Sequence, residues 1–327
     1  MYDVLEGLEP HSNLKKFSME QFHGLKCPTW MASGLSAFKN LIFFKLEWCP
    51  RLEYVPTLGE LPLLSFLHLY FIRVKCLGWE FYSSSNSTGS TSSGTVAFPS
   101  LKKLKLFDMP DLVEWLEVLP NFFPSLEKLS INYCPKLKIM PSRFPSLKSL
   151  HFYETNEMAL SSLSCKLNSL NHLRITACPD LKSVPERLLQ NNAHVLQKVK
   201  ISHCQKLETI FRSEGREGYP IPLVFPSLQS LEIEKCPSVK PLLDIQGMTS
   251  LQKLELKDFA ELKSLPEGLQ QLTMLESLRM GRFPEGMDYI KGEEDLQHPV
   301  SLRCRRLIGW PQHKNLRDQL KHLTKLT

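Results

Sequence analysis

One spacing recurs along this chain and limits what it can become. From Phe123 to Pro141 the residues read FPSLEKLSINYCPKLKIMP, where Leu126, Leu129 and Ile131 form L-x-x-L-x-L and Cys134 stands eight positions after the first leucine. Leu129, Ile131 and Cys134 alternate with Ser130, Asn132 and Tyr133, the pattern of a short strand with one buried face. Pro135 and Pro141 forbid continuing that strand, while Leu137 and Met140 carry the chain back to the core. Each unit is therefore one strand and one bend.

The same spacing starts at Leu14 in an irregular form, at Leu41 and Leu64, and then at Leu101, Leu126, Leu147, Leu170, Leu196, Leu228, Leu251 and Leu275. With that first leucine as position zero, positions three and five are apolar, and from Leu101 onward position eight reads Met109, Cys134, Thr155, Cys178, Cys204, Cys236, Phe259 and Phe283. From Leu41 onward units follow one another every 21 to 26 residues, except where Ser83 to Thr95 and the SEGREGYPIP segment are inserted. A fixed strand side with a variable return side predicts an α/β-type solenoid. It is a leucine-rich-repeat horseshoe with a parallel concave β-sheet and a mostly irregular or short-helical convex side. The expected organisation is a single array over 1–327, with a disordered insertion at 83–95, an irregular stretch at 284–306 and a truncated repeat at 316–327. Neither end carries a polar capping unit, so the chain is expected to be a piece of something longer.

Composition narrows the setting. No run is long and apolar enough to cross a bilayer, and Met1 is followed by Asp3 and Glu6 rather than by a basic and then apolar leader. Nine cysteines without a C-x-x-C pair fit free thiols in a reducing compartment, so a cytoplasmic location is expected. In that compartment Asn86-Ser87-Thr88 matches a glycosylation acceptor by chance.

Positions two, four, six and seven leave the core and point to the concave side or its rim. They supply Phe43, Lys45 and Trp48, then Phe66, His68, Tyr70 and Phe71, then Lys103, Lys105 and Phe107. Next come Lys128 and Tyr133, His151 and Tyr153, His172 and Arg174, and Lys198 and Lys200. The last clear units give Glu232, Glu234, Lys253, Glu255, Asp258 and Arg279. Aromatic residues thus lie toward the first half, basic ones in the middle and acidic ones after them. Tyr, Trp, Phe and Arg are favoured at interface centres, so apart from Phe43 and the acidic final units this face is read as a partner-binding surface for protein. The alternative is an aromatic ladder that serves stability alone. Lys103, Lys105, Lys128, Arg174, Lys198 and Lys200 could also meet phosphates. The acidic units on the same face and a net charge of only +6 favour an acidic protein surface instead.

No catalytic or metal-binding set and no cofactor or small-molecule site is read from the chain. The histidines are scattered, and Cys178, Cys204 and Cys236 would stack at about 4.7 to 4.9 Å as buried thiols donating to the turn backbone. Glu232 and Glu234 share a strand face, without a legible cleft or raised pKa for carboxylate chemistry.

Several phrases occur together. FPSL opens units at Phe98, Phe123, Phe144 and Phe225, and CPxL turns occur at Cys49, Cys134 and Cys178. LGELP spans Leu58 to Pro62, and SLPEGLQQLTML spans Ser264 to Leu275. With VLEGLEPHSNLKKF near the start and LIGWPQHKNLRDQLKHLTKL near the end, the chain resembles the C-terminal leucine-rich repeats of plant nucleotide-binding disease-resistance proteins of the coiled-coil class. The resemblance implies an intracellular immune sensor whose repeats meet a pathogen effector or a guarded host protein. It also implies that they restrain the nucleotide-binding domain of the full-length receptor. The chain has no G-x-x-x-x-G-K-[ST], so the phosphate-binding loop of that switch is not in it. The alternative is the substrate-recognition array of a ubiquitin-ligase adaptor.

Overall fold

A computed structural model describes residues 5–32, 35–84, 96–117, 121–163, 167–214, 220–222, 224–239, 245, 247–258, 272–281 and 304–308. The chain resolves into two compact units, 1–169 and 170–327. Most of the expected disordered insertion, the stretch 284–303 and the truncated repeat at 316–327 lie outside the described residues.

In the first unit the repeat strands are β1 (Lys16–Glu20), β2 (Phe43–Cys49), β3 (Phe66–Ile72), β5 (Lys103–Phe107), β7 (Lys128–Cys134) and β8 (Ser149–Thr155). They pair in parallel and in that order. The register places like positions side by side: Phe44, Leu67, Leu104, Leu129 and Leu150 form one inward row, and Leu46, Leu69, Leu106, Ile131 and Phe152 form the next. All ten are buried, each side chain contributing about 1.5–3 kcal/mol of hydrophobic stabilisation. Behind them β4 (Cys76–Leu77) pairs with β6 (Glu114–Trp115). Short helices at Thr29–Ala32, Trp79–Tyr82 and Glu157–Leu163 occupy the return side.

The second unit repeats this plan with β9 (His172–Thr176), β10 (Lys198–Ser202), β13 (Ser230–Glu234), β14 (Lys253–Lys257), β15 (Ser277–Gly281) and β16 (Cys304–Ile308). These strands are again parallel and in register. A helix spans Glu186–Asn192, and the SEGREGYPIP insertion holds a small antiparallel pair, β11 (Arg212–Glu214) with β12 (Pro220–Pro222). β16 opens within the tail of the stretch read as irregular.

Local chemistry explains the recurring phrases. In FPSL the phenylalanine carbonyl accepts a hydrogen bond from the leucine amide, at 3.3 Å for Phe98 to Leu101 and 3.2 Å for Phe144 to Leu147. Proline thus occupies the turn position that suits its fixed φ. The serine hydroxyl donates to a carbonyl of the preceding unit: Ser100 to Pro62 at 2.6 Å, Ser125 to Pro99 at 2.7 Å and Ser146 to Pro124 at 2.6 Å. The phenylalanines stack in the core, with ring centroids 4.8 Å apart for Phe98 and Phe123 and 5.6 Å for Phe123 and Phe144. In LGELP, Gly59 lies against backbone, and a Cβ added there would sit 2.3 Å from the Tyr82 carbonyl oxygen.

Position eight closes each strand. The thiols of Cys49, Cys134, Cys204 and Cys236 donate to the carbonyl two residues earlier at 3.4–3.5 Å, and Cys178 does so at 3.6 Å. Cys27 and Cys76 are free thiols, as are these five, which are buried. Burial pushes the Cys134 thiol up to about 12, which keeps it protonated and inert.

Candidate protein-recognition face

The residue before each closing position has a left-handed backbone although none is glycine: φ is 54° at Trp48, 51° at Phe71, 54° at Tyr133, 46° at Glu154 and 59° at His203. Such a backbone costs about 1–2 kcal/mol for an L-residue. It recurs because it turns the amide of position seven toward the next unit. Asp108 donates to Asn132 at 2.9 Å, Ala177 to Ser202 at 2.8 Å and His203 to Glu234 at 3.0 Å. The ladder is thereby extended past position six, and the side chain of position seven is thrown to the edge of the sheet.

The first unit carries most of the expected partner-binding residues. Trp48 is 48% exposed and stands 4.2 Å from Phe71 between ring centroids. Tyr70 stacks on Phe107 at 4.3 Å with only 5° between planes, Phe107 meets Tyr133 at 5.2 Å, and Tyr133 meets Tyr153 at 4.8 Å. Phe66 is exposed, and Phe43 meets His68 edge-on. The aromatic residues therefore form a pair, Trp48 with Phe71, and a ladder from Tyr70 through Phe107 and Tyr133 to Tyr153, whose rings stay half-exposed. Each ring contact adds about 0.5–1.5 kcal/mol while leaving part of each ring open to solvent.

The charged groups are arranged less simply than their order in the chain suggests. Lys45 donates to Glu20 at 3.0 Å and also pairs with Glu47. Lys103, Lys105 and Lys128 have no carboxylate partner among the described residues. Between Lys45 and Lys105 in the register lies His68, whose Nε2 has no hydrogen-bond partner. Desolvation, reinforced by Lys105, Lys103 and Lys45, holds the His68 ring down to about 4, so it is neutral near pH 7. His151 continues that row and is half-buried. Asn132, which position six alone could have marked, stands in register between Phe107 and Tyr153, and its Oδ1 has no partner.

In the second unit Arg174 and Lys198 are exposed and His172 is half-buried. The acidic residues there are not an open cluster. Lys200 donates to Glu232 at 2.8 Å, and Lys253 pairs with the same carboxylate and lies 3.2 Å from Glu255. Glu255 also pairs with Lys257 and sits 3.8 Å from Arg279. Desolvation opposes the Glu232 charge, but hydrogen bonds and charge from Lys200 and Lys253 outweigh it and hold the carboxyl at about 2. The sequence order suggested an acidic zone, whereas strand register interleaves lysines and carboxylates into a lattice. Neither Glu232 nor Glu255 has the raised pKa that a carboxylic acid catalyst needs. Among the described residues no group of three His, Cys, Asp or Glu could hold a metal ion, and no helix is long and apolar enough to cross a membrane.

The R13L1/DRL21 family of leucine-rich repeats matches residues 1–72. The chain is 31% identical over 241 residues to the disease resistance RPP13-like protein 1 of Arabidopsis thaliana, an alignment covering 64% of this chain and 22% of that protein. It is also 31% identical over 209 residues to the disease resistance protein RGA1 of Solanum bulbocastanum, covering 64% of this chain and 20% of that protein. The chain thus spans about a fifth of the length of these relatives. Among solved structures, the leucine-rich repeat domain of the type III effector XopL aligns with a TM-score of 0.51 at 18% identity, covering 85% of this chain and 80% of that one. That likeness concerns the fold alone.

Proposed function

We propose that this chain, a leucine-rich-repeat domain of the kind carried by plant nucleotide-binding disease-resistance proteins, is the protein-recognition module of an intracellular immune receptor. In this role it senses a pathogen effector or a guarded host protein and restrains the nucleotide-binding switch of the full-length receptor. It works in the cytoplasm by binding alone. The observation that carries this reading is the half-open aromatic ladder from Tyr70 through Tyr153, with the Trp48–Phe71 pair, beside three lysines without described carboxylate partners. Open aromatic surface next to uncompensated charge suits a protein interface, where buried rings provide affinity and charge selects the partner.

Position offers a simple mechanism. Inward rows order the strands within each compact unit, so face residues on successive strands keep a fixed spacing, and a partner is read by several repeats at once. The test is co-expression with a panel of effectors and candidate host proteins, followed by binding measurements on Trp48→Ala and Tyr133→Ala. Both variants should keep the circular-dichroism spectrum and lose binding at least tenfold. Full binding by both, or loss of the fold in both, would overturn the assignment of these rings to recognition.

A further inference from the structure

Of the nine lysines on the described repeat strands, four have a carboxylate within reach. Lys45 has Glu20 and Glu47, Lys200 has Glu232, Lys253 has Glu232 and Glu255, and Lys257 has Glu255. Some lysines away from the face are paired as well: Lys136 with Asp111 at 2.8 Å, Lys148 with Glu127 at 3.2 Å and Lys206 with Asp180 at 2.7 Å. Lys103, Lys105 and Lys128 instead stand together on adjacent strands without one among the described residues. Lys103 lies directly opposite Lys128 on the neighbouring strand. Like charges facing one another across a ladder are destabilising. The fold gains nothing from this arrangement, so its value lies in what it meets.

The geometry points to an acidic, extended segment of a partner protein seated along β5; this rests on the recognition reading above and names the chemistry of the partner. Lys103, Lys105 and Phe107 are the successive face residues of one strand, so their spacing is ~6.6–6.8 Å per pair. An extended peptide has the same period. It would place a carboxylate over Lys103, a second over Lys105 and an apolar side chain on the Phe107–Tyr70 stack, a pattern of acid-x-acid-x-apolar. Lys128 widens the cationic seat on one side. On the other, His68 stands beside Lys105 in the register. The seat is short: toward β1 the next lysine, Lys45, is already neutralised by Glu20 and Glu47. A nucleic-acid strand needs a longer phosphate track, so a polypeptide fits better.

The test measures fluorescence anisotropy of the full chain with a labelled peptide made of two Glu-Ser-Glu-Ser-Phe repeats. Its Glu-to-Gln analogue and a labelled twelve-residue oligo(dT) serve as separate probes. The acidic peptide should bind, and the glutamine analogue should bind at least tenfold more weakly. Lys103→Glu with Lys105→Glu should weaken the acidic peptide at least tenfold, while the charge-matched pair Lys138→Glu with Lys182→Glu changes it less than twofold. Phe107→Leu, which keeps an apolar side chain in the ladder, should weaken binding two- to fivefold. No binding of the acidic peptide, equal binding of its glutamine analogue, or an unchanged affinity in the charge-reversed variant overturns the proposal. Tighter binding of oligo(dT) than of the acidic peptide replaces it with a nucleic-acid site. If an effector or host protein is captured through Trp48 and Tyr133 but is indifferent to the charge reversal, the acidic-segment inference fails while the recognition function stands.

Discussion

The left-handed residue at position seven makes an unusual forecast about alanine and glycine. Ala177 has φ 53°, is half-buried, and its amide donates to the Ser202 carbonyl at 2.8 Å. Alanine there costs about 1–2 kcal/mol in backbone strain. Glycine removes that strain but adds about 0.4–1 kcal/mol of unfolded-chain entropy. Ala177→Gly should therefore stabilise the protein by up to about 1.5 kcal/mol, which for a unit of roughly 150–250 residues is an increase of up to about 6 °C in melting temperature. The control is the same exchange at Ala159, a fully buried residue inside the helix Glu157–Leu163. There glycine loses about 1 kcal/mol of helix propensity and about 0.8 kcal/mol of methyl burial, so Ala159→Gly should lower the melting temperature. Calorimetry and urea unfolding on both variants decide the matter. Destabilisation of similar size at the two positions would refute the claim that position seven is held left-handed by the neighbouring unit's carbonyl.

That conformation marks where sequence reasoning stops. The inward rows were legible because a period of two admits one assignment: once Leu129 is inside, Ile131 follows and Ser130 cannot. Leu129 is 1% exposed and Ile131 is fully buried, as that logic requires. Position seven was legible as a departure from the core, but not as a backbone state. Its occupants include Trp48, Phe71, Tyr133 and Glu154, residues that do not favour a left-handed backbone, and the compensating hydrogen bond comes from another unit. FPSL was legible as a phrase, while its chemistry, a proline turn plus a serine reaching back to the previous unit, needed the units side by side. The charge lattice around Glu232 and Glu255 was hidden for the same reason. Lys200, Glu232 and Glu255 are far apart in the chain but adjacent in the register, so chain order alone suggested segregated basic and acidic zones. The aromatic residues posed a choice between ladder and interface, and the structure gives a ladder with an open side.

Three further outcomes follow from particular contacts. Leu129→Ala should cost about 2–5 kcal/mol in urea unfolding because it empties a buried site, whereas Trp48→Ala, at a half-exposed ring, should cost about 1 kcal/mol or less; equal losses would make the ring structural. Gly59→Ala forces a methyl against the Tyr82 backbone and should cost about 1–3 kcal/mol, and an unchanged denaturation midpoint would show that this close approach is not required. The last concerns pH. Glu232 is held at about 2 in the folded chain, below its ordinary value of 4.5, because Lys200 and Lys253 outweigh the desolvation that opposes its charge. A carboxylate with a depressed folded pKa adds stability that is fully present above about pH 4.5 and is lost as the pH falls through about 2. Since the group is partly open to solvent, screening reduces its contribution to about 1 kcal/mol. In Glu232→Gln that contribution is absent at every pH, so the urea midpoints of wild type and variant should differ at pH 7 and converge between pH 4.5 and 2. A gap that stays constant to pH 2.5 would mean that the two lysines do not act on Glu232 through its charge.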